Sequence, residues 1–289
     1  MRGLAAITVA LVSCTLEESG LLPGDAGVDV VDAGFEASVD AGADVALDAA
    51  DAAETTVIAN PTALSGLSLW LRGDLGVVLS DAGVDGAVAA WTDQSGANDP
   101  LHDALQANIS ASPSINAVDV KYNQRQTLSF PDGTFLRSGA WPIVQPATYF
   151  IVGHAGSNTV SKDEEFIDST SASQHMAIVA SYNYGYGLSA TAGLTPPATF
   201  GPTQSPTFFV VVFFGANSLV YAQSNTGVAF SSGTQGSVGY TLGNYVAQEN
   251  LYALRGALAE VAIWARALSP VEIAQLNAYA SQRYAIALK

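Results

Sequence analysis

An all-β sandwich carried on an acidic tether is what this sequence predicts, and three observations carry that expectation. Charge is sharply segregated along the 289 residues. Apolar, β-branched and aromatic runs of strand length alternate with clusters of Gly, Pro, Asn, Asp and Ser. Helical periodicity is confined to the C-terminal end.

The chain opens on Met1-Arg2, a positive start, followed by an apolar stretch from Gly3 to Val12 with the order and size of a secretory h-region. No apolar run in the sequence reaches the roughly 18 residues needed to span a bilayer. The stretch ends in Leu11-Val12-Ser13-Cys14, which resembles the lipobox of bacterial lipoproteins. That resemblance implies that residues 1–13 are a lipoprotein signal peptide and that Cys14 is the acylated N-terminus of the mature protein. It further implies a cell-envelope location, at the outer membrane or cell surface of a Gram-negative bacterium, with membrane contact through the lipid anchor only. Several acyl chains on one residue hold a soluble domain on a bilayer far more firmly than one chain does. Cys14 is the single cysteine, which excludes a disulfide framework and a thiolate-rich metal site.

Residues 14–56 read as a disordered linker. Between Thr15 and Glu54 stand 11 acidic residues and no Lys or Arg, so more than two-thirds of the net charge of −16 lies in one short segment. Asp, Ala, Gly and Val recur there at a spacing of three to four, with Phe35 the one aromatic. Such a segment buries too little apolar surface to offset the entropy of ordering, and its like charges repel, so an extended spacer is expected. The rest of the chain holds 15 acids against 10 basic residues, which excludes a phosphate-binding basic surface and therefore nucleic acid as a partner.

Residues 57–289 read as one β domain. Strand texture is clearest at Leu67–Leu71, Ala147–Val152, Met176–Ala180, Phe208–Phe214, Ser218–Ala222 and Ala257–Trp264. The Phe208–Phe214 run is apolar at every position, as in a central strand covered on both faces. Ser269-Pro270-Val271-Glu272 is a capping box with Pro at the first helical position, and Ile273, Leu276, Ala280 and Tyr284 then recur on one helical face. An amphipathic helix lying against the sandwich follows.

Four stretches carry a family resemblance: Leu67-Ser68-Leu69-Trp70-Leu71-Arg72-Gly73-Asp74, Val88-Ala89-Ala90-Trp91-Thr92-Asp93-Gln94-Ser95-Gly96, Thr127–Gly133 with Ala147–Val152, and Leu254–Ser269. Together, and in this order, they resemble the laminin-G-like, concanavalin-A-like jelly-roll domains of secreted bacterial proteins. The resemblance implies a two-sheet antiparallel jelly-roll sandwich with a short C-terminal helix. It does not choose a function, because the same sandwich carries lectins, adhesion modules, glucanases and lyases. Trp70, Trp91 and Trp264 sit inside the matching runs and read as core.

Several residues are candidates for a site. Asp93, with Asn98 and Asp99 in the same polar loop, supplies oxygen ligands of the kind calcium takes, or else makes an Asx turn that orders the loop. Tyr182, Tyr184 and Tyr186 alternate, so an extended Ala180–Leu188 would line one sheet face with rings on which a sugar can stack, with Asn183 and Asn244 as donors and Trp141 in a neighbouring loop. Glu165 and Asp168 invite an acid–base reading, but three residues apart on a regular strand they fall on opposite faces, and Lys162 beside Asp163 suggests a solvated loop. His102, His154 and His175 share no spacing and read as isolated residues at strand ends. The expected function is a non-catalytic module that binds a glycan or a cell-surface protein, calcium being the one cofactor in view. The alternatives are a polysaccharide hydrolase or lyase, marked by facing carboxylates or a Tyr/His/Arg cluster, and an envelope spacer with no ligand.

Overall fold

The computed structural model describes residues 60–81, 84–156, 162–193, 200–245 and 252–289; the expected signal peptide, Cys14 and the whole expected linker lie outside them. The described residues build two antiparallel sheets packed face to face, a jelly-roll sandwich, with one α-helix at the C-terminal end. Across the first sheet the strands run Val228–Phe230, Ser218–Ala222, Thr207–Phe213, Ala147–His154, Ala257–Trp264, Arg125–Ser129 and Ser114–Asp119, and Leu67–Arg72 also pairs with Ala257–Trp264. Across the second they run Gly187–Thr191, Ala177–Ser181, Glu164–Asp168, Thr241–Leu242, Leu136–Arg137, Ala104–Leu105, Val88–Trp91 and Val77–Leu79.

The expected double burial of the phenylalanine-rich strand holds for Thr207–Phe213. Phe209, Val211 and Phe213 enter the core between the sheets, where Trp91 also lies, while Phe208, Val210 and Val212 face the other way. There they meet a second core that includes Trp70 and Trp264 from the first sheet's outward side and Ile273, Leu276, Ala280 and Tyr284, the last four being the apolar helix face. The result is three layers: second sheet, first sheet, helix. The helix Pro270–Tyr284 starts with its capping box formed, Ser269 Oγ accepting from Glu272 N and Glu272 Oε2 accepting from Ser269 N at 2.8 Å. Arg266 adds a fork onto the same carboxylate, at 2.5 and 3.0 Å, and that bonding holds the Glu272 carboxyl down at about 2.

A β-bulge decides what holds the helix. In the Ala257–Trp264 strand the register against Ala147–His154 shifts between Leu258 and Glu260, so Ala259 is extra and Glu260 pairs with Val152. Val152 belongs to the helix-side core, so the bulge turns Glu260 toward the helix. Its carboxylate, 0% exposed, accepts from Trp70 Nε1 at 2.5 Å, Tyr284 OH at 2.6 Å and Tyr279 OH at 3.1 Å. Gly256 just upstream leaves no space for a side chain, since a Cβ there would collide with the His154 carbonyl oxygen.

Burial pushes the Glu260 carboxyl up, against the opposing bonds from Tyr284, Trp70 and Tyr279 and the charge of Arg283. The native state therefore keeps a proton where the unfolded chain has lost it. This contribution is complete below the ordinary glutamate value and declines as pH rises through the raised native value. Urea denaturation across that range should show wild type losing stability relative to Glu260→Gln as pH rises. Glu260→Ala, which strands three buried donors, should cost about 3–5 kcal/mol.

Candidate functional site

Of the four sheet faces, two meet in the inter-sheet core and one is covered by the helix, which leaves the outer face of the second sheet. Strand register fixes what this face carries. Val78 opposes Ala90, Ala90 opposes Leu105, Leu105 opposes Arg137, Arg137 opposes Thr241 and Thr241 opposes Asp168, a single row across six strands. One half of the row is apolar and half-open to solvent; the other is polar.

The polar half depends on a second bulge. Glu165 pairs with Val179 and Ile167 with Ile178, so Phe166 is the extra residue and both Phe166 and Ile167 turn into the core. Glu165 and Asp168, expected on opposite faces, consequently share the outer face, one two-residue step of about 7 Å apart along the strand. The expected solvated loop is likewise replaced by a strand, Glu164–Asp168, buried throughout. Asp163 accepts from Tyr182 N at 2.5 Å and Ser181 Oγ at 3.1 Å, and Glu164 Oε2 accepts from Gly156 N and Arg255 N at 2.8 and 2.9 Å.

Asp168 is the inner member of a dyad. Its side chain is 0% exposed, its Oδ1 lies 3.1 Å from His175 Nδ1, and its Oδ2 has no partner among the described residues. His175, 25% exposed at the side chain, stands beside Tyr245 with ring centroids 6.1 Å apart, and Tyr245 meets Tyr252 edge to face at 5.4 Å. The bond to Asp168 raises the His175 pKa above its ordinary value, against the effect of burial. Burial, and then the charges of Asp168 and Asp163, push the Glu165 carboxyl well above the usual carboxylate range, and its Oε2 also has no partner among the described residues.

The sequence missed Asp168–His175, Tyr245 and Tyr252 as a group. One signal was available: the runs flanking Ser169–Met176 are both strand-like, and closing them as a hairpin returns His175 to Asp168. Other expectations need correction. Tyr182, Tyr184 and Tyr186 do not line a strand; Tyr182–Tyr184 forms a 3-10 turn and Gly185 and Tyr186 are left-handed, connecting Ala177–Ser181 to Gly187–Thr191. Tyr182 is 40% exposed whereas Tyr186 is buried, so no platform forms. Trp141 is buried against His102 with ring centroids 4.1 Å apart, and Asn244 is fully buried with its Oδ1 accepting from Tyr245 N at 2.8 Å. Neither side chain is offered to a ligand.

Asp93, Asn98 and Asp99 do come together, lining with Asp103 a cleft of about 280 Å³. Asp93 Oδ1 accepts from Trp70 N and Ser95 N at 2.8 and 2.9 Å, its Oδ2 from Ser95 Oγ at 2.6 Å, and Asp99 Oδ1 from Leu101 N at 3.0 Å. These are the bonds of Asx-type turns, and they tie the loop to the first strand. Among the described residues no three His, Cys, Asp or Glu side chains are grouped to hold a metal ion. His102 and His154 stay apart from the dyad; His154 Nδ1 lies 2.7 Å from Tyr122 OH, and burial lowers its pKa to about 4.

No protein-family model matches the chain. No curated protein matches it. Among solved structures it is similar to a Trypanosoma rangeli sialidase in complex with sialic acid, at 15% identity over 76% of this chain and 33% of that one, TM-score 0.49. It is similar to domain 4 of AbnA, a GH43 extracellular arabinanase from Geobacillus stearothermophilus, in complex with arabinotriose, at 10% identity over 73% and 98%, TM-score 0.49. It is also similar to a native heptameric SAP-like pentraxin from Limulus polyphemus, at 12% identity over 51% and 79%, TM-score 0.39. The chain spans about a third of the sialidase's length.

An NMR titration should separate His154 and His175 by environment. His154 should titrate near 4 and His175 above the ordinary histidine value of 6.5. Asp168→Asn should return His175 toward that value, and an unchanged midpoint would show that the dyad does not form in solution.

Proposed function

We propose that this protein is a lipid-anchored envelope protein that displays a carbohydrate-binding sandwich, and that the ligand lies on the outer face of the second sheet at His175, Tyr245 and Tyr252. The observation that carries the reading is the dyad. A fully buried carboxylate is committed to orienting one half-buried histidine on the sheet face left uncovered, beside two tyrosines with apolar rings and polar tips. Hydroxyl-rich rings are recognised by this combination of flat apolar surface and fixed polar groups. Cys14 and the acidic residues after it supply the anchor and the spacer in this reading, the spacer repelled by anionic lipid and so extended away from the membrane.

A hydrolase on the same face gains support from the shared side of Glu165 and Asp168, yet both residues are buried, at 8% and 1% exposure, where a glycosidic oxygen would not reach them. Binding is therefore the better reading. A spacer without a ligand would have no reason to bury an unsatisfied carboxylate at an open face.

A glycan array on the chain carrying Cys14→Ser, run with and without calcium and scored for product mass, should show retention without cleavage. Tyr245→Ala should weaken retention about ten-fold, the loss of one stacking ring. Cleaved glycans would identify an enzyme instead, and capture of a surface protein with no glycan would replace the ligand class. In cells, a clickable palmitate analogue should label wild type and not Cys14→Ser; equal labelling would remove the anchor.

A further inference from the structure

We infer that the His175 subsite selects acidic sugars, seating the carboxylate of a uronic-acid residue against the outward edge of the imidazole while the sugar ring lies on Tyr245 or Tyr252. This rests on the carbohydrate-binding reading above and adds the class of sugar.

The geometry argues through the direction of the dyad. Asp168 occupies His175 Nδ1 from the buried side, at 3.1 Å, so the remaining ring nitrogen is on the side from which the histidine is reached by solvent. An imidazolium held in this way presents one N–H donor of fixed direction, with its balancing negative charge hidden behind it. A hydroxyl can accept that bond, but a carboxylate gains the charge as well, and the site is sheltered enough for the difference to count.

The other groups around the ring do not cancel this positive edge. Glu165, from the same strand as Asp168, has its carboxyl pushed well above the usual carboxylate range by burial and its acidic neighbours. Asp163 is committed to Ser181 and Tyr182 at the far end of that strand. Tyr245 and Tyr252 approach from the segments flanking the 246–251 stretch, and burial raises the Tyr245 hydroxyl above its ordinary value. Gln235 accepts from His175 N at 3.4 Å and carries no charge. Arg137, two strands along the same row, adds a cation rather than an anion and keeps its own contacts to Thr241 and the Phe135 ring. The open face of a strongly acidic chain is therefore locally suited to an anion.

The test compares each acid with its own neutral form. Oligogalacturonate and oligoalginate, each beside its methyl ester, would be titrated calorimetrically into the full chain carrying Cys14→Ser at about pH 6 and about pH 9, on either side of a raised histidine value. One free acid should bind about ten-fold tighter than its ester at the lower pH, the value of one charge-assisted hydrogen bond, and the gap should close at the higher pH. His175→Gln, a change at a half-buried rim position, should abolish the acid preference and leave ester binding in place. Asp168→Asn should lower the pH at which the preference disappears. Equal binding of acid and ester, or an acid preference that survives His175→Gln, would overturn this inference and leave the glycan reading standing. Binding of acidic peptides in place of either sugar would overturn both.

Discussion

The buried carboxylate of Glu260 is the contact on which the three-layer arrangement turns. It sits at the centre of the strand that three other strands flank, and it accepts from one side chain of the first strand and two of the terminal helix. Removing a carboxylate from water costs several kcal/mol, and three donors offset that cost only when all are in place together. Those donors are themselves the polar tips of Trp70, Tyr279 and Tyr284, whose rings fill the helix-side core. Carboxylate and rings therefore require each other, and the helix has one position in which both are satisfied. Because the helix occupies that face, the second sheet's outer face is the one that no described element covers.

Much of this was legible in the sequence. Long strands such as Ala147–His154 and Ala257–Trp264 are carried by β-branched and aromatic residues over a full strand length, and the terminal helix by its capping box and apolar face. The double-sided burial of Phe208 to Phe213 followed from the absence of any alternation. Two-residue strands such as Thr241–Leu242 and Leu136–Arg137 were not legible, since a period of two cannot show itself in two residues. Alternation misled at Tyr182, Tyr184 and Tyr186. Spacing of two is necessary for a sheet face but not sufficient, and Gly185 inside the run marks the left-handed turn that breaks it.

The site escaped sequence reasoning for a related reason. A bulge inverts the parity of every residue beyond it, so Glu165 and Asp168 cross to a common face although their spacing is odd. Nothing in Glu165-Phe166-Ile167-Asp168 announces this; it follows from Phe166 and Ile167 both finding room in the core, which is a property of the packed sandwich. The pairing of Asp168 with His175 depends in turn on the hairpin closing with that same bulge in place.

The two bulges then separate structure from function. Each aims a carboxyl group that period-two patterning would have placed elsewhere, and each buries it. At Glu260 both oxygens accept hydrogen bonds, and the group is a fastening. At Asp168 one oxygen is spent on a partly exposed histidine and the other has no partner among the described residues, as is true of one oxygen of Glu165 on the same strand. Asp168 lies behind a ring that reaches solvent, and that ring is the partner of its Oδ1. What the arrangement maintains is the direction of the His175 ring, which Asp168 holds at its Nδ1 from the buried side.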